Sequence, residues 1–244
     1  MLFSILCFSQ QTKFKPQKGE ITFASFSVIP DTTYFTNSLK ESHTRLVNHL
    51  VKKLDLPSDE KIDTAGLISL MDSNIKPSIF SEIADYKHVY KDSIIESTKT
   101  VGKQQASIFS IIDIKQSRYM DISVMGEDTS ATEPSDFQYI KLTEEDINEF
   151  RTEKKTINGY ECFKVTLNYK LSFNEDEEHL ETLTNNEKCY AVYWVTENID
   201  SIFHPVCREK IILEKYFPLE ISYVNPLHKG VILNYKLKSI SLSE

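Results

Sequence analysis

The chain has 244 residues, enough to bury a hydrophobic core without a metal or disulfide to hold it together. Hydrophobic residues make up 40% of the sequence, including 14 Phe and 12 Tyr, which excludes an intrinsically disordered chain. The formal net charge of -8 argues against binding to nucleic acid or to an anionic membrane surface, because both need clustered Lys and Arg.

The first residues are predicted to be a signal peptide. Residues 1–10 carry no charge and are mostly apolar, and the sequence then changes abruptly to a polar, basic stretch. This change is typical of the apolar region and cleavage zone of an exported precursor. We therefore assign 1–11 to the signal and 12–244 to a single domain, with an ordinary first strand as the alternative. No later stretch approaches the roughly 20 apolar residues of a membrane span.

A helical insertion is predicted after the first strand, which covers Glu20–Val28. Ser38 and Glu41 match a capping box, and the apolar residues after them recur at helical spacing until Pro57. A second helix is predicted over about 58–74. The insertion thus covers about 38–74, and we expect its first helix to lie across the sheet.

From residue 81 onward, apolar and polar residues alternate, which predicts antiparallel strands. Two hairpins are expected next, over 86–100 and 106–125. A polar loop over 126–136, a short strand over 137–142 and a capped helical turn over 143–150 are expected after them. Many antiparallel strands, each buried on one side, indicate a mainly β fold with a curved sheet or open barrel.

Two strands supply the predicted binding surface, which we call the hydrophobic wall. From Phe163 to Phe173 the odd-numbered residues are apolar and the even-numbered ones are polar, so one face of this strand points to an apolar interior. The last strand, 231–242, repeats the pattern. The wall consists of Phe163, Val165, Leu167, Tyr169, Val231, Leu233 and Tyr235.

Three cysteines follow the predicted signal: Cys162, Cys189 and Cys207. In an oxidising compartment they allow one disulfide and one free thiol, and three free thiols are the alternative. Their spacing fits neither a zinc knuckle nor a C-x-x-C redox motif. His204 and Cys207 are the two potential metal ligands that lie closest together in the sequence. Two side chains are too few to form a metal site. We predict no metal and no cofactor.

The segment KKTINGYECFKVTL, Lys154–Leu167, resembles the K-T-I-x-G-Y-x-C-x-K signature of the GLPGLI family of secreted bacterial proteins. Other family-like segments occur in the expected order, namely VYKDSIIESTK, SIIDIKQSRYMDI and KCYAVYWVTENI, and FPLEISY occupies the place of the family's Gly-Leu-Pro segment. The resemblance implies that the protein is exported into the envelope of a Gram-negative bacterium, where it is periplasmic or associated with the outer envelope. It also implies a half-barrel similar to bacterial lipoprotein carriers, covered by one or two helices, and no established activity.

Three functions are compatible with these features. In the first, the hydrophobic wall holds a lipid or another hydrophobic ligand. In the second, the wall is a closed core, and the protein is a scaffold that binds another envelope protein. The third is a hydrolase of unrecognised type, although the strained nucleophile motif G-x-S-x-G is absent. A non-catalytic binding role is the main prediction, and an elongated apolar cavity beneath the cover of the sheet distinguishes the first function from the second.

Export predicts a shortened mature chain. Mass spectrometry of the protein isolated from its host is expected to give an N-terminus near Gln10 or Gln11. Recovery from the cytosol of a chain that still begins with Met1 would contradict the assignment.

Overall fold

The computed structural model describes residues 13–53, 63–74, 83–102, 108–125, 128–173, 181–182, 184–185, 187–224 and 229–244. Three predictions fall outside these residues: the signal peptide over 1–11, the start of the second helix, and most of a turn that the sequence predicts over 225–230, before the last strand. Among the described residues, no helix combines the length and the apolar character needed to cross a membrane.

Twelve strands of the described chain form one antiparallel sheet. They are β1 Lys18–Val28, β2 Ala84–Lys91, β3 Ile94–Val101, β4 Ile108–Asp113, β5 Arg118–Met125, β6 Asp128–Ala131, β7 Ser135–Asp136, β8 Leu142–Ile157, β9 Tyr160–Leu171, β10 Cys189–Thr196, β11 Phe217–Val224 and β12 Ile232–Ser243. The order is β6-β5-β4-β3-β2-β1-β12-β11-β10-β9-β8, and β7 pairs with β5. The end strands β6 and β8 do not pair with each other, so this curved sheet is open and the predicted mainly β, antiparallel fold is confirmed.

The hairpin of β8 and β9 shows how local sequence sets the register. Asn158 and Gly159 have φ values of 46° and 88°. A two-residue turn with both φ angles positive matches the twist of the strands, and Asn-Gly is the pair that adopts it most readily. The sequence predicts a tight turn at Gly159, because glycine tolerates a positive φ, and the structure confirms this turn.

Three predictions for the middle of the chain are wrong. Residues 143–150, predicted as a helical turn, belong to β8, because pairing along the amphipathic strand β9 outweighs a local capping pattern. Residues 137–141, predicted as part of a strand, are irregular, and the predicted loop over 126–136 contains the short strands β6 and β7.

Three helices occur in the described residues: α1 Thr32–Lys53, α2 Thr64–Asn74 and α3 Lys210–Leu213. The helix predicted from Ser38 begins at Thr32, because Asp31 caps it. The Oδ1 atom of Asp31 accepts hydrogen bonds from the backbone N–H groups of Thr33 and Tyr34, both at 2.9 Å. Ser38 lies buried inside α1, so the predicted capping box is wrong.

The sheet is covered by residues 199–216, which we call the cover segment. This segment contains α3 and contributes to both hydrophobic clusters of the protein, with Cys207 and Ile212 in one and Ile199 and Phe203 in the other. Neither cluster includes a residue of α1. The prediction that the first helix lies across the sheet is therefore wrong.

Helix α1 instead packs against α2 and meets the sheet at its rim. Gly230, just before β12, lies so close to α1 that an added Cβ atom would be 3.1 Å from the Cα atom of Phe35. Glycine also suits the positive φ of 81° at this position. The cover segment, and not α1, therefore packs on the concave face.

The alternation of β9 can be tested by urea denaturation. Val165 is fully buried, so Val165→Asp is expected to lower the free energy of unfolding by roughly 3–5 kcal/mol, the usual cost of an unpaired buried charge. The control is Lys164→Gln on the opposite face, which loses a partly exposed ion pair with Glu153 and the contact of its ammonium with the Phe150 ring, and is expected to cost about 1 kcal/mol or less. Equal losses would contradict the assignment of the two faces.

Candidate ligand pocket on the concave face

A pocket of about 420 Å³ lies between the sheet and the cover segment. Six strands contribute to it, namely β1, β2, β3, β9, β11 and β12. Ile140, Val206 and Glu209 line it from the covering side. The backbone N–H of Ile140 donates to the carbonyl oxygen of Arg208 at 3.0 Å, which joins these covering residues to one another.

Strand register explains why these side chains converge. Ser25 in β1 is opposite Ala84 in β2 and Tyr235 in β12, and Leu233 is opposite Tyr223. Residues directly opposite each other in an antiparallel sheet project from the same face. All five line the pocket, which is therefore a continuous part of the concave face.

The structure divides the predicted hydrophobic wall into two parts. Four of its residues line the pocket: Tyr169, Val231, Leu233 and Tyr235. The other three are buried in the first hydrophobic cluster, where the cover segment packs over them: Phe163, Val165 and Leu167. Phe163, Val165 and Leu167 are therefore core, Tyr169 belongs to the cluster and also lines the pocket, and the remaining three residues border the pocket.

Tyrosine rings form one side of the pocket. The ring of Tyr235 packs edge to face with the rings of Tyr86 and Tyr223, with centroid distances of 5.5 Å and 6.0 Å. Burial, followed by the negative charge of Glu209, raises the pKa of Tyr223 well above its usual value. Its phenol therefore stays protonated and acts as a hydrogen-bond donor near neutral pH.

Among the described residues, Glu209 is the one carboxylate that lines this pocket, and its side chain is fully buried. Its Oε2 atom accepts hydrogen bonds from the Tyr223 hydroxyl at 2.8 Å, the Cys207 thiol at 3.1 Å and the Arg208 backbone N–H at 3.1 Å. Its Oε1 atom accepts a longer bond, 3.3 Å, from the Tyr169 hydroxyl. These contacts attach the cover segment to β9 and β11.

No Lys, Arg or His among the described residues forms an ion pair with Glu209. The neighbouring Arg208 points elsewhere, with its guanidinium 4.3 Å from the ring centroid of Phe137 and in a separate polar pocket. Lys99 lines the same pocket as Glu209, but its side chain is exposed and its Nζ atom lies 5.5 Å from the ring centroid of Tyr86. Glu209 is thus a buried carboxylate with hydrogen bonds and without an ion pair to any residue that the structure describes.

His204 and Cys207, the closest pair of metal-ligand types in the sequence, have structural roles. The Nδ1 atom of His204 accepts hydrogen bonds from the backbone N–H groups of Val206 and Cys207, and its Nε2 atom lies 2.9 Å from the carbonyl oxygen of Pro218. Burial lowers the pKa of His204 to about 3, so the ring is neutral. The described residues contain no group of three or more His, Cys, Asp or Glu side chains that could hold a metal ion.

The disulfide candidates are three free, buried thiols. Cys162 is opposite Lys155, whereas Cys189 is opposite Tyr169, seven residues further along β9. At about 3.3 Å per residue the two cysteines are roughly 23 Å apart, too far for a disulfide. Cys207 instead donates to Glu209. A disulfide among the three, which the sequence allowed, is therefore not formed in this structure.

Sequence reasoning missed most of the residues that line the pocket, among them Tyr86, Tyr223 and Glu209. The two tyrosines belong to predicted strands. The alternation of side chains between the two faces of each strand was the signal that could have assigned them to the concave face. Glu209 gave no such signal, because it lies in an irregular segment where neither the helical nor the strand period applies.

Comparisons with known proteins find similarity in structure only. No family model matches the chain, and no curated protein matches it. Among solved structures, the chain is similar to the lipoprotein LppX of Mycobacterium tuberculosis, with a TM-score of 0.31, 8% identity, and coverage of 93% of this chain and 90% of that one. A similarity at this TM-score does not establish what the chain binds.

The buried thiols are expected to be unreactive in the folded protein. Burial raises the pKa of Cys162 to about 12 and that of Cys189 to about 11, and the pKa of Cys207 is also raised well above its usual value. Titration of the chain from residue 12 onward with a thiol-specific disulfide reagent at pH 8 is expected to detect none of these three thiols in the folded protein and all three after denaturation. Rapid reaction of two or more thiols in the folded protein would contradict the burial of these cysteines.

Proposed function

We propose that the protein is an exported, non-catalytic binding protein of the bacterial envelope that holds a hydrophobic or amphipathic ligand on the concave face. One observation carries this proposal: an apolar pocket of about 420 Å³ remains between the sheet and the cover segment. The volume falls in the range of roughly 300–1,000 Å³ that is typical of small-molecule sites.

The composition of the pocket supports an apolar ligand. Aliphatic and aromatic side chains form most of its lining, among them Leu171, Val231, Leu233 and Tyr235. Water in contact with such surfaces is displaced favourably by an apolar molecule. The few polar groups, such as Glu209 and Ser25, are suited to orient a ligand.

The alternatives gain less support. A closed scaffold requires the cover segment to seal the whole wall, but it seals only the part around Phe163, Val165 and Leu167. A hydrolase that uses cysteine requires a thiol of lowered pKa, whereas burial raises the pKa of all three described cysteines. The envelope location in this proposal rests on residues 1–11 and on the resemblance to the GLPGLI family.

The proposal is tested by titration with a neutral apolar dye, N-phenyl-1-naphthylamine, whose fluorescence rises in apolar surroundings. Saturable binding by the wild type is expected. Leu233→Trp fills the pocket with a larger side chain and is expected to abolish binding. Lys236→Trp adds the same side chain on the exposed, opposite side of β12 and is expected to bind the dye like the wild type.

Circular dichroism verifies that each variant is folded. Absence of saturable binding by the folded wild type would contradict the proposal and favour the scaffold. Unchanged binding by folded Leu233→Trp would place the dye outside this pocket and would also contradict it.

A further inference from the structure

A second cavity, of about 320 Å³, lies over β3, β4 and β5, and we call it the polar pocket. Ser97 in β3 is opposite Ser110 in β4, which is opposite Asp121 in β5, so these three side chains form a row on one face of the sheet. Ser97 lies two residues before Lys99, which lines the apolar pocket, so the row belongs to the same concave face. Arg208 of the cover segment completes the lining.

The guanidinium of Arg208 is open to the polar pocket and unpartnered. It forms no hydrogen bond and no ion pair within the described part of the chain, and it lies 4.3 Å from the ring centroid of Phe137. The residue is only partly buried, and none of its nitrogen atoms is sealed from solvent without a partner. Burial lowers the pKa of Arg208, which is the direction expected for a cation that lacks a counter-charge.

Asp121 supplies a negative charge to the same pocket. Its Oδ1 atom accepts a hydrogen bond from the Ser110 hydroxyl at 2.5 Å, whereas its Oδ2 atom has no partner among the described residues. Oδ2 is not sealed from solvent either. Asp121 and Arg208 form no ion pair with each other, so the polar pocket contains a cation and an anion that are both accessible and are held apart.

Neighbouring groups do not alter this charge pattern. His88 is opposite Ser97, but burial lowers the pKa of His88 well below its usual value, so its ring is neutral. The ammonium of Lys99 lies 5.5 Å from the ring centroid of Tyr86 and borders the apolar pocket. Of the described residues that line the polar pocket, only Arg208 and Asp121 are Lys, Arg, Asp or Glu.

We propose that the polar pocket binds a small zwitterion of the amino-acid type, whose carboxylate pairs with the Arg208 guanidinium and whose ammonium donates to Oδ2 of Asp121. The planar guanidinium matches a carboxylate with two parallel hydrogen bonds. A ligand with only a negative charge would meet the like charge of Asp121, and one with only a positive charge would meet that of Arg208. The hydroxyl of Ser97 and the amide of Gln138 offer further hydrogen bonds to the ligand.

This inference does not rest on the proposed function, because the polar pocket and the apolar pocket share no lining residue. A volume of about 320 Å³ is at the lower end of the range that is typical of small-molecule sites. It therefore suits a compact ligand with charges at both ends.

The charge requirement can be measured on the wild type by isothermal titration calorimetry at pH 7. Glycine, β-alanine and 4-aminobutyrate present the two charges at increasing separation. Each is compared with the carboxylate and with the alkylammonium ion of the same chain length. At least one amino acid is expected to bind at least about tenfold more tightly than both of its singly charged counterparts, because it gains a second hydrogen bond between charged groups.

Two results would overturn the inference. One is the absence of saturable binding by all three amino acids to the folded wild type. The other is equal or tighter binding of the carboxylates or of the alkylammonium ions, which would make the site selective for a single charge.

Variants assign the two charges to their residues. Arg208→Gln is expected to abolish saturable binding, and Arg208→Lys to restore part of it, because lysine keeps the charge without the planar fork. Asp121→Asn is expected to reduce the preference for the amino acid over its carboxylate counterpart about tenfold. The control is Arg118→Gln, since this exposed arginine lies on the other face of β5, and binding is expected to remain.

Circular dichroism verifies that each variant is folded. Unchanged binding by folded Arg208→Gln, or an unchanged preference in folded Asp121→Asn, would also overturn the inference. If Arg208→Gln does not fold, the ligand series on the wild type still decides, because it needs no variant. The dye titration of the apolar pocket is a separate measurement, so either proposal can fail without the other.

Discussion

The position of the cover segment on the sheet depends on hydrogen bonds that the buried carboxylate of Glu209 accepts, together with the contact between the His204 ring and the carbonyl oxygen of Pro218. The hydrogen bonds to Glu209 join this segment to β9 through Tyr169 and to β11 through Tyr223, at 3.3 and 2.8 Å. An irregular segment has no ladder of backbone hydrogen bonds to hold it in place, so side-chain contacts must do so. Without them, the apolar residues of the cover segment would lose their fixed position over β9 and β10.

The position of the cover segment in turn divides the concave face into core and pocket. Its apolar residues Ile212, Leu213 and Tyr216 pack against Phe163 and its neighbours and exclude water from them. Beyond Glu209, no element of the described chain packs on the concave face as closely as the cover segment does. A pocket therefore remains over Tyr235 and Leu233. Protein interiors are normally filled at close packing, so a gap of this size beside a well-packed cluster is typical of a ligand site.

The parts of this structure that follow a period were predictable from the sequence, and the parts that do not were missed. The alternation in β9 predicted the buried face that contains Val165 and Leu167, and the turn at Gly159 followed from the Asn-Gly pair. The helical turn predicted over 143–150 was wrong because strand pairing is a non-local interaction that a short capping pattern does not report. Glu209 could not be recognised as the centre of the site, because its burial depends on a path between α3 and β10 that has no repeating pattern.

The central claim, that the concave pocket holds a hydrophobic ligand, is tested most directly by crystallography with 1-bromododecane. Bromine scatters anomalously, so its position can be located independently of the rest of the ligand. The account predicts one strong bromine peak inside the pocket formed by Tyr86, Leu171 and Leu233. Bromine found only on the outer face of the sheet, with the pocket filled by water, would contradict it.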